Sequence, residues 1–353
     1  MEKFSRRRFI QWLTRGLGYL SLSTILGCRA ADQAPAKSRA SSREKFDTPQ
    51  PSPTEQVTGQ LTPSPVSTSA AQPTHTISPT PALVPPDLAV TRHGRPQRLV
   101  KKAIRALGGM EQFVRPGDDV IIKPNICVGY HPYQYAATTN PWVVGTLVEL
   151  ALGYGAKRVR VMDYPFGGTP QQAYVRSGIQ EQVEKAGGKM EIMAPFKFVS
   201  KKIPEGQALK KCKIYQDVLQ ADVLINVPIV KHHGLAKMTL AMKNLMGVIA
   251  DRPAMHHNLG QRLADLSTRV RSHLIVVDAV RMLMNHGPSG GNLNDVKQAD
   301  TVIATTDIVA ADSYAATLFG YKPNNLSYVR AGSAMGLGRS DLGNLKIEEL
   351  DVG

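Results

Sequence analysis

The sequence predicts an α/β fold: a mostly parallel sheet with helices on both faces, a Rossmann-like three-layer arrangement, carrying a small inserted β lobe. Three observations lead there. Apolar strand-like runs alternate with helix-like segments, which implies parallel pairing through right-handed crossovers. The run from Asp222 to Val230 is almost continuously apolar (Val223, Leu224, Ile225, Val227, Ile229, Val230), the pattern of a strand covered on both faces. Between Lys189 and Ile203 one or two short strands read as a hairpin lobe.

The 353 residues do not form one fold. Residues 1–30 read as a targeting segment. Ser5-Arg6-Arg7-Arg8-Phe9-Ile10 carries the paired arginines of a twin-arginine export signal, followed by a modest apolar stretch from Trp12 to Leu26. That stretch contains Arg15, Gly16 and Gly18 and is too short to span a bilayer comfortably. Ile25-Leu26-Gly27-Cys28 resembles a lipobox, so Cys28 is the expected lipidation site, although Leu26 is bulkier than the usual small residue. Residues 31–86 are dominated by Pro, Ser, Thr, Gln and Ala. Such a composition cannot bury enough apolar surface to offset chain entropy and reads as a disordered tether. The expected location is extracytoplasmic, with an α/β domain of residues 87–353 held off the cell membrane by a lipid anchor at Cys28.

The formal net charge is +15, but ten of the cations, from Lys3 to Lys45, belong to the leader and tether. With an export signal present, a nucleic-acid partner is excluded; a basic cleft for a small anionic ligand, or attraction to an anionic membrane, fits better. Cys127 and Cys212 are the cysteines of the domain. They are too few for a four-cysteine iron–sulfur cluster and read as buried free thiols. A metal ion stays open as a cofactor.

In chain order, Val100–Leu107 is a short helix stopped by Gly108-Gly109, and Asp119–Asn125 is the first core strand, with Pro124 stopping its ladder. Asn140 supplies an N-cap and Pro141 the first turn of an apolar helix over Trp142–Leu152, closed by Gly153 and Gly155. Lys157–Asp163 is a second strand. It leads through Gly167-Gly168 to a helix start at Thr169-Pro170, a candidate anion cradle of free N–H groups. The Asp222 strand ends in a polar knot, Lys231-His232-His233-Gly234, and a helix from about Lys237 places Thr239 and Lys243 on one face. His256–Arg271 is helical, Leu274–Val280 is a strand followed by the loop holding His286 and Gly287, and Thr301–Thr306 is a strand. Asp307–Gly320 is a helix with Asp307 as its cap. In a parallel sheet the strand ends share one edge, where open α/β sheets bind ligands. Asn125, Asp163, the Lys231–His233 knot and the His286 loop therefore converge.

Four runs occur in a fixed succession. They are Ile122-Lys123-Pro124-Asn125; Lys231-His232-His233-Gly234 with Thr239, Lys243 and Asn244; Gly287-Pro288-Ser289-Gly290-Gly291; and Asp307-Ile308-Val309-Ala310-Ala311-Asp312. This succession, over roughly Asp119 to Gly338, resembles the domain of unknown function 362 family, the Lys-x-His…Thr-x-x-x-Lys-Asn run being its most specific part. Members are often joined to ferredoxin-like iron–sulfur modules. No cysteine-rich segment follows here, so the resemblance implies at most a separate redox protein as partner. The basic, histidine-bearing turn leading into a Lys-containing helix is also distantly similar to nickel-pincer lactate racemases.

Lys231, His233 and Lys243 are the catalytic candidates. One lysine follows a buried strand and the other interrupts an apolar helix, placements in which desolvation can tune a lysine for acid–base work. The resemblance singles out His233 over His232, as metal ligand or general base. Lys123, Asn125, Asp163, Gly167, Gly168, Thr239, Asn244, His286 and Gly287 are the expected ligand-binding residues. Plainer roles compete: lysines snorkel, and Thr239 and Asn244 can serve helix ends. Asp312, on an apolar helix, has no such plain role. A mixed His/Asp163 metal site lacks fixed ligand spacing. Two functions follow: an exported enzyme acting on a small anionic substrate, which is preferred, and a lipid-anchored protein that binds an anionic ligand or metal without turnover.

Overall fold

The computed structural model describes residues 84–353. The export segment, Cys28 and nearly all of the tether lie outside the described residues. The domain opens with β1 (Leu88–Arg92) and α1 (Pro96–Ala106). Then come β2 (Asp119–Pro124), α2 (Pro141–Gly153), β3 (Arg158–Val161), α3 (Pro170–Arg176), α4 (Ile179–Lys185) and β4 (Lys189–Met190). β5 (Phe198–Lys202) and β6 (Lys211–Tyr215) form a separate antiparallel hairpin, the inserted lobe. α5 (Gln216–Gln220) leads to β7 (Val223–Val227), β8 (Ile229–His233), β9 (Lys237–Thr239) and α6 (Ala241–Asn244). α7 (Leu259–Arg269), β10 (Leu274–Leu283), β11 (Val296–Thr305), α8 (Ile308–Leu318), α9 (Ser327–Ala334) and β12 (Ile347–Asp351) complete the domain. None of the helices described is long and apolar enough to cross a membrane.

The main sheet runs β12-β1-β11-β10-β7-β2-β3-β4, with β8 beside β10 and β9 beyond it. β10, β7, β2, β3 and β4 are mutually parallel. Successive side chains of a strand face opposite ways, and the two cores divide accordingly. Val120, Ile122, Ile225 and Val276 pack with α1, α2 and α4. Ile121, Leu224 and Val277 pack with α6 to α9 and the hairpin lobe. The three-layer expectation holds.

Four features differ from the sequence reading. The lobe hairpin pairs residues 198–202 with 211–215 instead of lying within 189–203, and Lys189–Met190 joins the main sheet. β1, a strand of only five residues just beyond the tether, went unread. β11 runs antiparallel to both β10 and β1, because residues 284–295 return directly as a loop instead of crossing over through a helix. The basic knot is itself a strand. Pro228 carries no N–H and interrupts the ladder after Val227; the chain resumes as β8, accommodated by the ten-residue β10, which pairs β7 at Leu274 and Ile275 and β8 at Asp278 and Leu283. β9 folds back on β8 with Lys231 opposite Thr239. Thr239 and Lys243 therefore do not share a helical face, and the helix is a single turn.

Buried carboxylates fasten backbone amides that no ladder reaches. Asp278 accepts the N–H of Asn140 at 2.6 Å and of Val280 at 3.0 Å, and burial pushes its pKa up to about 6. Asn140 in turn caps α2 through Trp142 N–H at 3.0 Å. Asp265 on α7 accepts the N–H groups of Gln207 (2.9 Å), Ala208 (2.7 Å) and Leu209 (2.7 Å), pinning the lobe loop to the domain. An unmade buried hydrogen bond costs about 1–3 kcal/mol. Asp265→Ala is therefore expected to lower stability by about 3 kcal/mol or more in urea unfolding and to speed amide exchange across β5 and β6 before the main sheet.

Candidate functional site

The site is built around α6. So short a helix cannot be self-supporting, and its first N–H groups need outside acceptors. Asp312 of α8 supplies them, accepting Ala241 N–H at 2.6 Å and Met242 N–H at 3.1 Å. Burial pushes the Asp312 carboxyl up to about 7 while the two amides pull it down. This is the role the sequence left unread. Asn226 of β7 donates to Ala241 O at 3.0 Å, and Asn244 donates to Asn226 Oδ1 at 2.8 Å and to Lys123 O at 3.2 Å. Asn244 is thus a strut between α6 and the sheet.

Beneath α6 lies a fully enclosed ion pair. Lys123 Nζ donates to Asp163 Oδ1 (2.7 Å), Pro124 O (2.8 Å) and Asn244 Oδ1 (3.0 Å). Asp163 also accepts Ile126 N–H at 2.6 Å and Tyr164 N–H at 2.8 Å. Burial draws the Lys123 ammonium below its ordinary range, opposed by Asp163. Buried pairs persist when every donor finds an acceptor, as here. The pair also explains Gly247: a Cβ there would overlap Asp163 Oδ1 and lie 2.6 Å from Lys123 Nζ.

Lys231 is equally saturated, donating to Asn125 Oδ1 (2.9 Å), Ala137 O (2.6 Å) and Pro288 O (2.9 Å). It contributes charge but no free donor. Lys243 is different. It is half-buried and, among the described residues, has no carboxylate partner, only Met246 Sδ at 3.9 Å. Burial, then Lys231 and Arg252, lower its pKa to about 8.

His233 Nδ1 accepts the N–H groups of Leu235 (3.1 Å) and Ala236 (3.2 Å), closing the β8–β9 turn. The ring proton therefore sits on Nε2. Burial and the neighbouring lysines lower the His233 pKa to about 3, so the ring is neutral at physiological pH. With its proton on Nε2 and Nδ1 taken by two backbone donors, the ring presents no free lone pair to the cavity, which argues against its expected role as base. It also fits metal ligation poorly, since a coordinating imidazole donates through its other nitrogen and here that nitrogen accepts. Among the described residues no cluster of three or more His, Cys, Asp or Glu side chains is arranged to hold a metal ion.

These groups line one cavity of about 570 Å³, joined by Cys127, Thr239, Arg252 and His256. Arg252 donates to Tyr164 O at 2.6 Å and Pro165 O at 3.2 Å and lies 4.7 Å from the Tyr164 ring centre. Four basic side chains (Lys123, Lys231, Lys243, Arg252) face one carboxylate, Asp163. Thr239 Oγ1 is buried without a hydrogen-bond partner.

The expected site residues thus separate. Lys123, Asn125, Asp163, Lys231, His233, Thr239, Lys243 and Asn244 come together. Gly167, Gly168, His286 and Gly287 do not line the cavity. Gly167 O accepts Gly129 N–H at 2.7 Å, and the helix start beyond it is closed by its own capping box: Thr169 accepts from Gln172 N–H and Gln172 from Thr169 N–H, both at 3.2 Å. The capping box thus takes two of the amides at this helix start. His286 is exposed and bonds Asp295 at 2.8 Å. Gly287 packs against β8, where a Cβ would strike His232 O, and Pro288 carries the loop's contribution to the cavity. Arg252, Gly247 and Cys127 were missed. The three-residue run Asp251-Arg252-Pro253 has no motif, and only proximity in the fold reveals it.

Residues 120–317, more than half of the chain, match the family described as Domain of unknown function (DUF362). The thylakoid-associated protein sll1697 of Synechocystis is 24% identical over 247 residues, which cover 67% of this chain and 74% of that protein. Among solved structures, the lactate racemase apoprotein of Thermoanaerobacterium thermosaccharolyticum aligns with a TM-score of 0.38 at 12% identity over 60% of this chain. A structural-genomics protein of Thermotoga maritima aligns with a TM-score of 0.40 at 10% identity over 64% of this chain. The chain spans 53% and 60% of those two proteins, respectively.

Two outcomes follow from the geometry. Gly247→Ala overpacks the ion pair and is expected to lower stability by about 1–3 kcal/mol in urea unfolding. Gly234→Ala, where a Cβ meets nothing within 4 Å, serves as the neutral comparison. Because Lys243 is about half deprotonated near its pKa of about 8, a bound anion will favour its charged form and draw in a proton. Calorimetry in buffers of different ionisation enthalpy should show uptake of up to about half a proton at pH 8, fading toward pH 6 and absent in Lys243→Met.

Proposed function

We propose that this chain, which belongs to the domain of unknown function 362 family, is an enzyme that acts on a small anionic substrate, with Lys243 as the proton-transferring group. The observation that carries the reading is the Lys243 amine: it faces a cavity with surplus positive charge, has no carboxylate partner among the described residues, and titrates at about 8. A lysine tuned to that range serves acid–base catalysis. Lys231, which has no counterion, acts through its field, which favours an anion without contacting it, while Lys123 is paired with Asp163 and holds the frame. His233 offers a neutral Nε2–H donor, a group that polarises a substrate oxygen without itself taking a proton. Thr239 Oγ1, unpartnered at the wall, is a further polar contact for substrate.

The second reading, an anion-binding protein without turnover, is favoured by the hydrogen bonds that occupy His233 Nδ1, which leave Lys243 without an obvious acid–base partner. In either case we infer export by the twin-arginine route and anchoring at Cys28. The description of the Synechocystis relative as thylakoid-associated is in keeping with a membrane location.

Small carboxylates and phosphates incubated with the protein in D₂O, followed by NMR, test the enzyme reading. Wild type should bind one of them and exchange or transform it. Lys243→Ala should cut that rate by about 10²–10⁴-fold. Binding without exchange or product would leave the binding-protein reading, and no anion binding at all would sink both. For the anchor, Cys28→Ala is expected to move the protein from the membrane pellet to the soluble fraction of its host, as followed by immunoblot.

A further inference from the structure

The cavity changes character from floor to mouth. Lys123, Asp163, Lys231 and Asn244, at its floor, are at most 3% exposed. Phe166 and Leu235 line the same cavity and are 58% and 62% exposed, so they stand at its opening. Tyr164, Met246 and Pro253 form apolar wall between. A site for a bare inorganic anion needs none of this. Large apolar side chains at a mouth stay in water until something covers them, and covering one contributes about 1.5–3 kcal/mol. The volume agrees: about 570 Å³ lies within the roughly 300–1,000 Å³ of cavities that enclose drug-sized organic ligands.

We propose that the substrate is an amphipathic monoanion, an organic carboxylate or phosphate whose charged head reaches Lys243 and His233 and whose apolar chain runs out between Phe166 and Leu235. This rests on the anionic-substrate reading and specifies its chemical class. The head is recognised by the surplus charge on the floor. The tail is recognised only by contact area, so affinity grows with length until the chain clears the mouth. Arg252, bound to Tyr164 O and Pro165 O, fixes the segment that presents Phe166 and so holds the opening in place.

The test is calorimetric binding of sodium acetate, butyrate, hexanoate and octanoate, below their micellar concentrations, to the wild-type protein. Affinity is expected to rise about fourfold per methylene, the factor that corresponds to about 0.8 kcal/mol per buried CH₂. Phe166→Ala and Leu235→Ala, both at exposed positions, should each flatten that slope, and Lys243→Met should weaken the whole series. A rise below twofold per methylene with acetate still bound through Lys243 overturns the amphipathic class and leaves the anion reading standing. A steep slope indifferent to Phe166 and Leu235 overturns the placement of the tail. If neither acetate nor octanoate nor inorganic phosphate binds, the anion reading fails and this inference fails with it.

Discussion

The enclosed Lys123–Asp163 ion pair is the constraint on which the carboxyl edge of the sheet depends. It joins the ends of adjacent strands β2 and β3, and its remaining valences hold Pro124, Ile126, Tyr164 and Asn244. A buried pair is weak evidence for net stability, because desolvation offsets much of its attraction. Breaking it is another matter, since either partner alone would be an uncompensated charge at the bottom of a cavity. Its value here is geometric. The amide of Asn244 reaches Lys123, Asn125 and Asn226 at once, so α6 sits at one height above the sheet, and Gly247 lets the following backbone close over the pair.

Three lysines meet in the same place with three different fates, decided by how many acceptors surround each. Lys123 has a carboxylate and two neutral oxygens. Lys231 has three neutral oxygens and no counterion. Lys243 has a thioether. The first is neutralised, the second is a fixed charge, and the third is chemically available. A similar count decides His233, whose two backbone donors fix its tautomer. Residue type alone would have made all four equivalent candidates. The number of satisfied hydrogen-bonding positions separates the frame from the working group.

Much of this was legible in the sequence, for identifiable reasons. The apolar run of β7, the Asn140-Pro141 helix start and the Asp307 cap are local signals, and each element forms where those signals lie. Convergence of Asn125, Asp163, Lys231 and His233 followed from strand ends sharing an edge, although His286, expected with them, does not line the cavity. What failed was non-local. Whether residues after Pro228 continue as strand depends on the length of β10, fifty residues on, and nothing in Lys237–Asn244 says that its first half pairs with β8. Gly167-Gly168 looked like part of an open cradle, but a capping box takes two of the amides at the helix start that follows. Arg252 and Gly247 matter only through neighbours distant in the chain.

The support given by Asp312 reaches beyond the static site. The carboxylate that completes α6 arrives from a helix 70 residues downstream, behind the reversed strand β11. During synthesis, every lysine of the cavity has left the ribosome well before the residue that organises them. The sheet can close on its central strands first, whereas the Lys243 turn must wait for the last quarter of the chain. Full assembly of the pocket thus requires the chain through α8, so a chain truncated before it would carry the charges without their arrangement.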